Sequence, residues 1–74
     1  MVIAVERTLL SVAPAAQGWS VNLNHLLIDL QPTRYAAIDA ANEHAYKRYV
    51  VTGRPTGVAV ALCDGESVLV SQNG

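Results

Sequence analysis

The sequence predicts an α+β domain: a small antiparallel sheet, two hairpins plus an N-terminal strand, with one helix packed across one face. The order is β-β-β-α-β-β. Three observations predict it. Two β-prone stretches fold back about turn dipeptides, Asn24-His25 and Asp64-Gly65. Between them lies a run of helix formers from Arg34 to about Val51, opened by Pro32-Thr33 and closed by Gly53. The chain of 74 residues leaves room for one domain, 1–74, and not for two.

Leu9 to Ala13 reads as the first strand, and Val2 to Val5 is also β-prone. Pro14 to Gly18 reads as a connection. In the first hairpin a two-residue turn at Asn24-His25 pairs Leu23 with Leu26, Val21 with Ile28 and Trp19 with Leu30. That register puts these six apolar side chains on one face and Ser20, Asn22 and Asp29 on the other. In the helix, Thr33 is the expected cap. Ala37, Ala41, Ala45, Ile38, Tyr35, Tyr46 and Tyr49 share one broad arc at 100° per residue, interrupted by Asn42. Asp39, Glu43 and Lys47 run down the opposite side at i, i+4 spacing. In the second hairpin a two-residue turn pairs Cys63 with Glu66, Ala61 with Val68 and Val60 with Leu69. One face then carries Val58, Val60, Leu62 and Leu69, the other Ala59, Ala61, Val68 and Val70. Two apolar faces are the pattern of a strand pair covered on both sides.

Composition narrows the function. Apolar residues make up 51% of the chain and charged residues 15%, with a formal net charge of -1. Soluble domains carry roughly 25% charged residues, so part of the apolar surplus falls on the surface. A single cysteine, Cys63, makes no internal disulfide and points to a cytoplasmic home. Ala13-Pro14-Ala15-Ala16 has the small residues of a signal cleavage site. Glu6 cancels Arg7 before it, however, and the apolar run between is too short. No apolar stretch approaches the ~20 residues of a membrane helix.

Candidate chemistry is sparse. His25 belongs to a turn, and His44 has no second histidine or cysteine at metal-ligand spacing. Cys63 is flanked by Asp64 and Glu66, a poor setting for a reactive thiolate. Gly53-Arg54-Pro55-Thr56-Gly57 runs from helix to strand, opposite to a phosphate loop. No active site, metal site or cofactor site is expected. Lys47, Arg48 and Arg54 gather near the helix C-terminus as a small basic cluster for nucleic acid.

Gly18-Trp19-Ser20-Val21, the helix pattern Ala36-x-x-x-Ala40-Ala41-x-x-x-Ala45 after Thr33, and Val58-x-Val60 with Asp64-Gly65 carry a resemblance. From Leu9 to Ser71 the chain resembles a family of very small bacterial and phage proteins classed as a domain of unknown function. Tyr35 stands where that family has a glutamate. The first half is also similar to the arm-binding N-terminal domain of phage-type integrases, whose sheet is basic where this one is not. The resemblance implies the order of elements and transfers no catalytic residue.

The expected function is a small non-enzymatic interaction or structural module, a homodimer or a partner of another protein. Its interface candidates are Ala59, Ala61, Val68, Val70, Val2 and Val5. The alternative is a nucleic-acid-binding accessory using Lys47, Arg48 and Arg54.

Overall fold

A computed structural model describes residues 7–62 and 65–74. It contains strands β1 (Thr8–Ala15), β2 (Gly18–Leu23) and β3 (Leu26–Gln31), helix α1 (Arg34–Thr52), and strands β4 (Thr56–Ala61) and β5 (Ser67–Asn73). The β-β-β-α-β-β order and the single helix are as expected. The five strands form one sheet in the order β3-β2-β1-β4-β5. Val2 to Val5, Cys63 and Asp64 lie outside the described residues.

The sheet is mixed, because β4 pairs parallel to β1 while the other three pairings are antiparallel. Chain direction explains this. Two tight turns leave β3 running the same way as β1, and α1 returns the chain so that β4 starts in that direction too. Placed beside β1, β4 can only be parallel. The first strand also runs further than its sequence suggests. It continues through Pro14 to Ala15, with Pro14 opposite Trp19. Proline is tolerated there because β4 pairs only with Thr8 to Val12, so no ladder donor is needed on that side.

The helix forms as its ends dictate. Thr33 Oγ1 accepts from the Ala36 N–H at 3.1 Å. Gly53 adopts φ +70°, and its N–H donates to the Tyr49 carbonyl. Ala37, Ala41 and Ala45 are completely buried against Leu10, Val12, Val21, Val58 and Val60. Small side chains let the helix axis approach the central strands closely. The tyrosines do not follow the arc as a group: Tyr35 is 80% exposed and Tyr46 is also exposed, on the outer shoulder of the helix. Two polar bonds fix the seat. Buried Thr56 donates through Oγ1 to the Ala45 carbonyl at 2.9 Å. Ser71 Oγ donates to Asn42 Oδ1, which accounts for an asparagine at the edge of an apolar arc.

Two inserted residues change which side chains face the helix. The Asn24-His25 turn is a two-residue turn, with φ of +49° and +71°, and Leu23 opposes Leu26. The register then shifts between Val21 and Asn22, so that Val21 opposes Asp29 and Ser20 opposes Leu30. Ile28 is the extra residue. This corrects the expected single apolar face: Asp29 turns toward the helix and Leu30 turns away from it. The second hairpin uses a three-residue loop instead of two. Gly65 N–H donates to the Leu62 carbonyl, Leu62 N–H to that of Glu66, and Gly65 takes φ +89°. Ala61 therefore opposes Ser67, Val60 opposes Val68 and Ala59 opposes Leu69, one residue off the expected pairing. A further shift between Val58 and Ala59 leaves Val70 as an inserted residue.

Two substitutions test this packing. Gly18 has φ +137°, and an added Cβ would lie 2.4 Å from the Gln31 carbonyl oxygen. Gly18→Ala should cost about 2–3 kcal/mol in urea unfolding, from backbone strain and overlap. Ala41→Leu should cost about 1–3 kcal/mol by prising the helix off the sheet. Unchanged midpoints would contradict the close seat of the helix.

Candidate interaction surface

Alternation along the strands sorts the side chains into two faces. The face toward α1 carries Leu10, Val12, Val21, Val58 and Val60, all buried. The register places Leu9, Ser11, Ser20, Asn22, Leu27, Leu30, Ala59, Ala61 and Leu69 on the other face. No described element covers that face. Leu9, Leu27, Leu30 and Leu69 are exposed there, Leu30 at 59% and Leu69 at 47%.

The polar residues of this face satisfy each other in part. Asn22 Nδ2 donates to Ser20 Oγ at 2.9 Å, and Ser20 Oγ donates to the Ala13 carbonyl. None of its described strand positions carries a charge. At the rim, Arg7 donates to the carbonyls of Thr56, Asn73 and Gly74 at 2.7, 3.2 and 2.7 Å. It thereby holds together the start of β4 and the end of β5. A shallow hollow of about 510 Å³ lies beside Leu9, Ser11, Asn22, Asn24 and His25. His25 is the one ionisable residue of that lining.

The expected interface residues divide between the faces. Ala59 and Ala61 share the uncovered face, although Ala59 is only 8% exposed and offers little area. Val68 opposes Val60 and belongs to the helix side, so Leu69 takes its place. Val70 is the inserted residue between Leu69 on the uncovered face and Ser71 on the helix face. Val2 and Val5 lie outside the described residues. Sequence alternation missed Leu30 because it lies beyond the inserted Ile28, and Leu69 because the hairpin loop is one residue longer than expected.

The three residues of the basic cluster have different surroundings. Lys47 Nζ lies 3.0 Å from Glu43 Oε1 one helical turn away. That hydrogen bond, and then the lysine charge, hold the Glu43 carboxyl below its usual range. Arg48 lines a hollow of about 260 Å³ with Leu10, Leu23, Ile28 and His44. Arg54 is exposed in the loop before β4. His44 Nε2 instead meets Asp29 Oδ2 at 3.6 Å, joining the helix to the β3 edge. Asp29 Oδ1 also accepts from the Leu30 N–H and from Gln31 Nε2. Among the described residues, no group of three His, Cys, Asp or Glu could hold a metal, and no helix is long and apolar enough to cross a membrane.

Comparison with family models, curated proteins and solved structures finds no match to this chain. The likeness to the small bacterial and phage family rests on its sequence motifs alone.

The two faces differ in what they tolerate. Leu27→Lys and Leu30→Lys should each change unfolding free energy by no more than about 0.5 kcal/mol, as surface changes do. Val60→Lys should unfold the domain, because its ammonium would be buried without a partner. Urea titration followed by circular dichroism checks both. A Leu30→Lys variant that unfolds would mean this face is covered.

Proposed function

We propose that the chain is a small non-enzymatic interaction module of the cytoplasm, and that its uncovered sheet face is its working surface. It docks on another protein through that face, or it self-associates. One observation carries the reading: four leucines are exposed on a face whose described strand positions carry no charge. Apolar area of this kind on a small domain is a normal mark of a protein contact. Residues in the middle of that face, Ser11, Ser20 and Asn22, supply the hydrogen-bonding groups that give such a contact its orientation.

Nothing in the arrangement favours the nucleic-acid alternative. Lys47 is paired, Arg48 lies along an apolar hollow, and the face itself has neither a cation nor an aromatic ring among its strand positions.

The test compares the native chain with a Leu9→Lys/Leu30→Lys variant. Light scattering reports assembly, and affinity capture from the native host reports a protein partner. The native chain should capture a protein partner, and the variant should lose that capture while keeping its circular dichroism. A folded variant that captures the partner as well as the native chain would overturn the reading.

A further inference from the structure

Resting on the reading of this chain as an interaction module, we infer that a second copy of the chain joins it along the outer edge of β5. The two sheets become one ten-stranded sheet. The pairing is antiparallel about a two-fold axis perpendicular to the sheet, with Ser67 of one copy opposite Gln72 of the other.

The unpaired edge selects the class of partner. β3 and β5 are the edges of the sheet, and no described strand pairs with the outer side of either. An open edge presents a row of backbone N–H and C=O groups that only another extended strand satisfies in full. The two edges are not equally guarded. β3 carries Asp29 in its centre, and Pro32 follows it. Self-pairing of β3 would bring two Asp29 carboxylates close together, a destabilising arrangement. β5 reads Ser-Val-Leu-Val-Ser-Gln-Asn, with no charge and no proline. Three of its residues, Val68, Leu69 and Val70, are exposed apolar side chains in succession. Natural edges ordinarily carry a charge or a proline against such pairing.

The register names the atoms. The Leu62 N–H bonds to the Glu66 carbonyl. Alternation from that pair aims the backbone groups of Val68 at β4 and those of Ser67 and Leu69 outward. Past the inserted Val70, Ser71 opposes Val58 and Asn73 opposes Thr56, so Gln72 is the residue whose groups point outward. Antiparallel pairing with Ser67 opposite Gln72 matches outward groups with outward groups twice, once on each side of the axis. A perpendicular axis keeps both helices on one side of the joined sheet and merges the two uncovered faces on the other. Leu69 and Val70 then flank the seam. The inserted Val70 interrupts the edge and keeps the pairing short, so the dimer dissociates on dilution.

The test combines light scattering with amide hydrogen exchange. Native chain should approach twice its 7.9 kDa mass as concentration rises. Over the same range, exchange of the Ser67, Leu69 and Gln72 amides should slow at least tenfold. Ser67→Pro and Gln72→Pro remove only outward donors, leave the β4 ladder intact, and should hold the mass at that of the monomer. Leu9→Lys/Leu30→Lys lies away from this edge and should still dimerise through it. Exchange at those amides that does not depend on concentration would overturn the inference, and that readout needs no variant to fold. A dimer lost in the Leu9→Lys/Leu30→Lys variant and kept in the proline variants would also overturn it, while upholding the face as the working surface. A native chain that stays monomeric throughout would overturn the edge pairing and leave the face to a different protein.

Discussion

Three alanines set the distance between the helix and the sheet. Ala37, Ala41 and Ala45 present no side chain beyond Cβ, so α1 settles onto β1, β2 and β4 and buries Leu10, Val12, Val21, Val58 and Val60. A helix with its side chains is roughly 10 Å wide, whereas five strands spaced ~4.8 Å apart span about twice that. One helix therefore covers the middle of one face and neither edge. The bonds from Thr56 to the Ala45 carbonyl and from Ser71 to Asn42 stop the helix from sliding to cover more. Apart from the inserted Val70, the exposed large apolar strand residues follow from that footprint. Leu26 and Val68 lie beyond its two sides, and Leu9, Leu27, Leu30 and Leu69 lie behind it.

Much of this is written in local chemistry. Thr33 and Gly53 mark the helix ends, Asn24-His25 and Gly65 mark the turns, and the alanine spacing marks the buried stripe. Each of these is a property of one residue or one short interval, so sequence exposes it directly. The parallel β1–β4 pairing was also within reach, since the direction of β4 follows from counting chain reversals. What sequence conceals are the two inserted residues, Ile28 and Val70, and the extra loop residue that moves the β4–β5 pairing by one. A bulge is held by backbone hydrogen bonds and leaves no mark in composition. Its effect is nevertheless large, because one inserted residue exchanges the two faces for everything beyond it. Asp29 and Leu30 changed sides for that reason. The contact between His44 and Asp29 was hidden with them.

The low charge of the chain acquires a location through these features. The strand positions of the uncovered face hold no charge, and neither does β5, while the charged residues of the helix point to solvent. Electrostatic repulsion thus does little at the two places where another chain would approach. Its residues Ser11, Ser20 and Asn22 lie on β1 and β2, and three of its four leucines, Leu27, Leu30 and Leu69, lie on the outer strands. A partner meets a polar centre bordered by apolar patches, the reverse of the apolar centre and polar rim seen in many interfaces.

The separation of β1 and β4 along the chain has a consequence during synthesis. Arg7 bonds to the Thr56 carbonyl 49 positions away and to that of Gly74 67 positions away. At a translation rate of ~5–20 residues per second, β1 waits several seconds for its parallel neighbour. The β1–β2–β3 meander is complete long before then. Until β4 emerges, the central strand of the finished sheet is an outer strand of a partial one. For that interval the nascent chain presents two open edges with its leucines uncovered, and speed of completion matters to it as much as final stability.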